Sequence, residues 1–334
     1  MSITAKELAQ HLGLSAAAVS MALNNKPGVS ESTRERVIAA AKKAGYEFGN
    51  LHPAEDDPKG SIAFLFYRRH GAVVGDTQFF SSLTDGVEIA CRNAGYQLNM
   101  HYVYEGNVVR ELRTLLSPDT KGVILLGTEL RQEDFAPFIS FALPLVVLDT
   151  YFEGIPKDCI LINNVQGAFL ATNYIISKRK KQPGYLRSSY SIGNFEERAD
   201  GFYKAIRHNG MAPGGSIVHR LAPSVEGAYA DMKALIVQGE RLAECYFADN
   251  DLIAAGAMRA LKEAGYRIPE DIGIVGFDNT AMCELLAPPL TTIHVPKQAM
   301  GQLAVERLLS VIGNKAAVNA KIAVATTLVK RSSI

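Results

Sequence analysis

A chain of 334 residues with 48% apolar and 21% charged side chains has ordinary globular composition and exceeds the usual single-domain length, which excludes disordered and fibrous classes and implies two or three packed units. The net charge of +1 conceals an asymmetry, because residues 1–46 hold Lys6, Lys26, Arg34, Arg36, Lys42 and Lys43 against only Glu7, Glu31 and Glu35. Positive charge is concentrated at one end, as expected where a small segment meets nucleic acid, and the remainder is slightly acidic.

In chain order, Thr4 can cap a first helix, with Glu7 completing a capping box, Leu8, Ala9 and Leu12 on one face and Gly13 as the stop. Ser15 caps a second helix over 16–24 after a short turn. Two helices across a Gly-containing turn have helix-turn-helix spacing, whose second helix can enter a major groove. Ser30 then caps a third helix through Ala44, with Val37, Ile38 and Ala41 holding the first two. Lys26, Arg34, Arg36, Lys42 and Lys43 are placed near phosphates, and Ala16, Ala17, Ser20 and Met21 face the bases. Ala and Met offer no bidentate hydrogen bond, so readout is expected to be mostly apolar, for example against thymine methyls. Asn24 and Thr33, with the helix-end groups Thr4, Ser15 and Ser30, complete the candidate DNA-binding set.

Residues 48–60, with Pro53, Pro58 and the acidic run Glu55-Asp56-Asp57, have no period and read as a linker after a domain at 1–47. From residue 61, β-rich runs at 61–67, 96–104, 122–126, 145–149, 159–162, 216–219, 244–247 and 272–277 alternate with helical patterns, which implies βαβ units and mostly parallel sheets. The tripeptide Ala-Gly-Tyr closes helical patterns at Gly45, Gly95 and Gly265, each suited to a left-handed C′ position. The repeat distance suggests two subdomains, 61–162 with 293–321 and 163–292 with 322–334. The longest apolar runs, 123–126 and 143–148, are too short to span a bilayer, and Met1-Ser2-Ile3-Thr4 shows no signal pattern, so a cytoplasmic location is expected. Scattered Cys91, Cys159, Cys245 and Cys283 read as reduced core thiols.

Open α/β sheets place ligands at the carboxyl ends of their strands, and two such ends form a cleft. The strand-end candidates are Tyr67, Asp149, Asn163, Asn250 and Asp278, groups able to bond sugar hydroxyls. Arg68, Arg69 and His70 follow the first strand and raise a phosphorylated or acidic effector, the alternative being a solvated loop. The run Lys178-Arg179-Lys180-Lys181 at a helix end reads as a solvated face. No Walker-A loop, Gly-x-Gly-x-x-Gly fingerprint, nucleophile elbow or His-Glu-x-x-His occurs, so catalysis is the rejected rival, and neither a cofactor nor a metal is expected.

Leu14-Ser15-Ala16-Ala17-Ala18-Val19-Ser20-Met21-Ala22-Leu23-Asn24, Val29-Ser30-Glu31-Ser32-Thr33-Arg34, Phe79-Phe80, Arg198-Ala199-Asp200-Gly201-Phe202, Ala248-Asp249-Asn250-Asp251, Ile274-Val275-Gly276-Phe277-Asp278 and Pro288-Pro289-Leu290-Thr291-Thr292 follow one another in an order that resembles the LacI/GalR family of bacterial repressors. The resemblance implies an all-α helix-turn-helix domain before a bilobed, periplasmic-binding-protein-like α/β body of two parallel-sheet subdomains. It implies Arg198, Asn250 and Asp278 in an effector pocket, Phe80 packing on the ligand and Asp149 near it. For Asp278 a turn or cap is the alternative; of Phe79 and Phe80, only one is expected to reach the ligand. Tyr67 and Arg68 complete the effector set. The family's hinge helix has a poor counterpart here: two prolines and three acids oppose it, and Leu51 is the only apolar wedge candidate. The family's Gly-His in the distal lobe is replaced by Arg179-Lys180-Lys181-Gln182-Pro183-Gly184, where no strand is assigned. The function implied is an allosteric, homodimeric repressor of a carbohydrate-use operon on a pseudo-palindromic operator, switched by a sugar or sugar phosphate.

Overall fold

Three helices occupy the N-terminal part of the computed structural model: α1 (Ala5–Leu12), α2 (Ala16–Leu23) and α3 (Glu31–Lys43). The described residues are 5–23, 28–44, 58–75, 78–314 and 318–334, and the chain divides into two units, Met1–Pro58 and Lys59–Ile334. Gly13, at φ +66°, makes the turn between α1 and α2, a conformation that costs a residue bearing a Cβ. Ser15 Oγ accepts the Ala18 N–H at 3.1 Å, and Ser30 Oγ accepts the Thr33 N–H at 3.3 Å, so both expected caps form. Leu8, Ala9, Val19, Ala22, Leu23, Val37 and Ala41 make the small core. Thr4, Asn24, Lys26, Gly45, residues 48–57 with Leu51, and the side chain of Lys42 lie outside the described residues.

The second unit runs β1 (Ser61–Arg68), α4 (Gln78–Asn93), β2 (Gln97–Tyr104), α5 (Val108–Thr114), β3 (Thr120–Leu126), α6 (Ala136–Ile139), β4 (Leu145–Leu148) and β5 (Asp158–Ile162). It continues with α7 (Asn164–Arg179), β6 (Gly184–Ser188), α8 (Gly193–His208), β7 (Val218–Leu221), α9 (Val225–Val237), β8 (Cys245–Ala248), α10 (Asp251–Glu263), β9 (Gly273–Val275), α11 (Met282–Leu285), β10 (Thr292–His294), α12 (Lys297–Gly313), β11 (Lys321–Val324) and β12 (Thr327–Val329). One sheet has the order β11-β5-β4-β3-β1-β2 and the other β7-β6-β8-β9, with parallel neighbours in both. These are the two lobes. A short antiparallel pair, β10 with β12, lies where the chain passes between them.

Gly95 and Gly265 have φ of +80° and +90°, as their Ala-Gly-Tyr context implies. Three expectations need correction. Residues 184–188 form β6, which pairs with both β7 and β8 and so lies inside its sheet; its five residues mix Gly, Arg and Ser with apolar groups and carry little period. β11 pairs with β5 in the first lobe, so the final crossing comes after Val324 and not after Lys321. In the run 178–181, Lys178, Lys180 and Lys181 are exposed as expected, whereas the half-buried Arg179 departs from that face and donates to the backbone carbonyls of Pro269, Glu244 and Glu270 at 2.9–3.2 Å.

Paired helices approach closely through glycine. A Cβ at Gly201 in α8 would lie 2.4 Å from the Val165 carbonyl oxygen of α7, and one at Gly256 in α10 would lie 2.4 Å from that of Val225 in α9. Neither oxygen can yield without moving a helix. Gly201→Ala is therefore expected to lower the stability of the body by about 1–3 kcal/mol through overpacking, measured by urea unfolding; an unchanged midpoint would show that α7 and α8 can separate freely.

Candidate functional site

The carboxyl ends of the strands of both lobes converge on a cavity of about 290 Å³. Its walls include Gln78, Phe79, Phe80, Thr128 and Asp149 from the first lobe and Asn194, Phe195, Arg198, Asn250, Asp251 and Asp278 from the second. Gln78 also bridges the lobes, its Oε1 accepting the Ala281 N–H at 2.6 Å.

Arg198, 3% exposed, projects from α8 and is held by three hydrogen bonds and a ring. Its Nε donates to Asn164 Oδ1 at 2.9 Å, Nη1 to the Asp249 carbonyl at 2.5 Å and Nη2 to Asp278 Oδ1 at 3.3 Å. The guanidinium carbon lies 3.8 Å from the centroid of the Phe277 ring, a stacked cation–π contact. Phe277 in turn packs where a Cβ on Gly167 would intrude at 2.6 Å. The Asn164 amide continues the network to Asn194 Oδ1 at 3.0 Å and Glu197 Oε2 at 2.9 Å.

Asp278 is neither a cap nor an ordinary turn residue. Asp278 and Asn279 have φ of +111° and +52°, and the buried Lys297 ammonium reaches the Asp278 carbonyl at 2.5 Å and that of Asn279 at 3.4 Å. Strained backbone of this kind persists where surrounding contacts hold it. Burial pushes the Asp278 carboxyl up to about 7, the Arg198 charge opposing that rise and Asp251 adding to it.

Asp149 follows β4 at φ +69° and is 2% exposed. Oδ2 accepts the Thr128 hydroxyl at 2.6 Å, whereas Oδ1 finds no partner of hydrogen-bonding geometry among the described residues. Burial raises its pKa to about 6, with Thr128 and the nearby Asn194 amide lowering it in part. Asp249 behaves alike, at about 6 by burial, while bonded by the Tyr185 hydroxyl and the Ser188 N–H. Asp251 is fully engaged by Thr280 and Thr292. Asn250 Oδ1 caps α10 through the Ile253 N–H at 2.8 Å, which leaves its amide nitrogen to the cavity.

Arg198, Asn250, Asp278, Asp149 and Phe80 are thus brought together as expected. Phe79 joins Phe80 on the wall, so both rings reach it, in edge-to-face contact at 5.1 Å. Tyr67 does not. Alternation along β1 sends Phe66 toward one core and Tyr67 into the other, where it is fully buried. Arg68 lies over the Tyr102 ring at 4.6 Å, outside the cavity; Arg69 pairs with Asp134 at 2.8 Å and Glu105 at 3.0 Å. Asn163 is consumed as the cap of α7. The loop that carries those basic residues is instead gathered around the buried Glu129, whose oxygens accept the N–H groups of Arg69, His70, Gly71, Val73 and Val74 at 2.8–3.2 Å. Reasoning from sequence missed Thr128, which follows β3, and Asn194 and Phe195, which lie a helical turn before Arg198; strand ends and i, i+3 spacing were the available signals.

In the helical unit, Ala16, Ala17 and Ser20 are exposed on α2, and Met21 is half-buried with its sulfur 3.1 Å from where a Gly28 Cβ would stand. Arg34 and Thr33 sit on the first turn of α3.

Residues 4–47 match the model of bacterial regulatory proteins of the lacI family, and residues 172–334 match a periplasmic binding protein-like domain. The HTH-type transcriptional repressor PurR of Vibrio atlanticus is 30% identical, with 93% of this chain and 92% of that protein covered. The chain belongs to the LacI family. Among solved structures, the lac repressor dimer bound to operator and an anti-inducer is similar over 100% of this chain and 99% of that one, with a TM-score of 0.70 at 23% identity. A LacI-family regulator from Enterococcus faecium with bound ribose covers 81% of this chain and 98% of its own, with a TM-score of 0.70 at 25% identity. This LacI-family member is a DNA-binding transcription regulator with an effector-binding body, not an enzyme. Among the described residues no group of side chains is arranged to hold a metal, and no helix is long and apolar enough to cross a membrane.

The raised carboxyls fix the sign of the pH dependence. A carboxyl whose folded pKa exceeds its unfolded value stabilises most below the unfolded value, and the contribution is lost as pH rises through the folded one. For Asp149 that window lies between 3.8 and about 6. Asn keeps a bond to Thr128 and tolerates positive φ, so the Tm of Asp149→Asn relative to the wild type is expected to rise from pH 4 to pH 6 and then level off. A difference independent of pH in calorimetric scans would show that the carboxylate is not penalised by burial.

Proposed function

We propose that this chain is a homodimeric, cytoplasmic repressor of a carbohydrate-use operon, whose affinity for a pseudo-palindromic operator is set by a sugar-sized effector in the cleft between its lobes. The observation that carries the reading is the convergence of Arg198, Asn250, Asp278 and Asp149, one of whose oxygens has no partner of bonding geometry among the described residues, on one cavity walled by Phe80 and Phe195. Flat apolar walls with a few aimed polar groups suit a hydroxylated ring. The similar LacI-family regulator from Enterococcus faecium with bound ribose and the similar CelR–cellobiose complex support the same class.

The dimer reading is supported by the first lobe. Its edge strand β2 exposes Met100, Tyr102 and Tyr104 at 47%, 43% and 49%, an apolar row on an unpaired edge. A twofold dimer would present two α2 helices to two half-sites. Ala16, Ala17, Ser20 and Met21 read bases, chiefly through methyl contact, while Ser15, Ser30, Thr33, Arg34 and, from the sequence, Thr4, Asn24, Lys26 and Leu51 touch backbone or groove. An effector that binds the closed and open lobes unequally shifts operator affinity; equal binding shifts nothing.

Selection of bound fragments from a genomic library at fixed salt, repeated with candidate sugars, tests the reading: a palindromic site whose enrichment changes with one sugar is expected. Failure to enrich any such site, or sugar turnover without salt-dependent DNA binding, would overturn it. With the selected operator, Arg34→Ala is expected to weaken binding evenly across sequences and to reduce the salt slope by about 1, whereas Ala17→Val changes the preferred base at one position per half-site.

A further inference from the structure

We propose that Arg331, which lies outside the cavity, is a positioning residue of the effector site. It holds the Asn279 side chain, and so the left-handed Asp278–Asn279 turn, and so the Asp278 carboxylate on Arg198. The inference rests on the effector-site reading above and adds to it a residue that is absent from the cavity wall.

After β12, residues 331–334 lie against β9 and are bonded in place there. The Arg331 N–H donates to Thr291 Oγ1 at 2.9 Å. Ser333 Oγ donates to the Ile274 carbonyl at 2.6 Å and accepts the Thr291 N–H at 2.8 Å, and the Ile274 N–H reaches the Ser333 carbonyl at 2.7 Å. Backbone groups and one serine thus seat the segment. The Arg331 side chain, 13% exposed, reaches past them. Its Nη1 donates to the Leu290 carbonyl at 2.9 Å, and its Nη2 to Asn279 Oδ1 at 2.9 Å and to the exposed Glu284 at 3.1 Å. A planar guanidinium makes these three bonds from one fork, a geometry that a lysine ammonium does not reproduce.

The turn that Arg331 grips needs holding. Asp278 and Asn279, at φ of +111° and +52°, follow β9 in a conformation that persists only where neighbours impose it. Two cations do so from different groups: Lys297 takes the carbonyls of both residues, and Arg331 takes the Asn279 side-chain oxygen. The Asn279 amide nitrogen lies 3.2 Å from His294 Nδ1 on β10, so that side chain is tied at both of its polar atoms. What the turn presents to the cavity is the Asp278 carboxylate, 3.3 Å from Arg198 Nη2. Charge-assisted bonds of this kind usually close to about 2.7–2.9 Å. The pair therefore stands at the long end of the range, where a small movement of the turn makes or breaks it.

The test compares the full chain with Arg331→Leu, Arg331→Lys, Asn279→Gly, the Arg331→Leu/Asn279→Gly pair and Glu284→Ala. The readouts are amide hydrogen exchange without sugar, and titration calorimetry with D-ribose, D-galactose, D-glucose and cellobiose well below the unfolding temperature. In Arg331→Leu the 278–280 amides, which are bonded to Ile293, Thr292 and Asp251, are expected to lose protection while those of β6 keep it. The tightest sugar is expected to bind roughly tenfold more weakly, a size within the range for residues that do not touch a ligand. Arg331→Lys recovers part of both losses. Asn279→Gly, which tolerates positive φ but lacks the amide, matches Arg331→Leu, and the pair is no weaker than either, because both remove one link. Glu284→Ala leaves the affinity unchanged. A merely structural arginine would lower the Tm and leave the affinity of the folded protein where it was. Wild-type affinity in folded Arg331→Leu, additive losses in the pair, exchange that quickens throughout the second lobe, or an equal loss in Glu284→Ala overturns the proposal. Should Arg331→Leu fail to fold, Asn279→Gly, with the other Arg331 bonds intact, decides alone. A wild type that binds none of the four sugars overturns the effector-site reading and this inference with it, whereas any of the failures above in a chain that binds one of them overturns this inference only.

Discussion

Burial of the Arg198 guanidinium is the constraint on which the body depends. A charge removed from water needs compensating partners, and Arg198 has three: a side-chain amide from the start of α7, a carbonyl after β8 and a carboxylate after β9. Three segments distant in sequence are held in one geometry. The Phe277 ring beneath it adds a fourth contact, made possible by the missing Cβ of Gly167. Loss of any one partner would leave a buried charge short of a bond, so the arrangement is rigid on the second lobe's side of the cleft.

The first lobe meets that rigid side with fewer fixed contacts. Gln78 bonds the Ala281 backbone across the cleft, His70 touches the Tyr190 ring, and Asp149 presents an acceptor that nothing in the described structure satisfies. A ligand that bonds both Asp149 and the Arg198–Asp278 pair joins the lobes, and its binding energy is then spent partly on lobe geometry. For the regulator proposed above, a switch requires two arrangements of the lobes with unequal affinity for one ligand. Glu129 holds the rim loop through five backbone amides, and with burial opposing them those bonds keep its pKa below the usual carboxylate value. The loop is therefore a fixed part of the wall.

The helical unit works by the opposite economy. Its exposed face on α2 consists of Ala16, Ala17 and Ser20, with Met21 partly withdrawn against Gly28. Short side chains let a helix backbone approach a partner closely but offer few directed hydrogen bonds, which is the physical ground for the methyl-contact readout proposed above.

Local signals carried the fold class a long way. Ser15 and Ser30 cap because a hydroxyl before a helical period has a nearby N–H to accept, and Gly13, Gly95 and Gly265 turn left-handed because no Cβ forbids it. Strands β1, β3 and β5 were visible as apolar runs, and Arg198, Asn250, Asp278 and Asp149 were marked by strand ends and motif order. What depends on partners far along the chain was not legible: β6 and β11 are strands only because neighbours complete their ladders. Tyr67 and Arg68 lie at a strand end yet leave the cleft, because alternation turns one into the opposite core and Tyr102 captures the other. Local residue patterns mark most of the elements and the chemical groups at their ends; folding decides which marginal runs become strands, which of those groups share a cavity, which are spent on one another, and that an Asp149 oxygen is left over, since pairing and burial are properties of neighbours that the chain brings together only when folded.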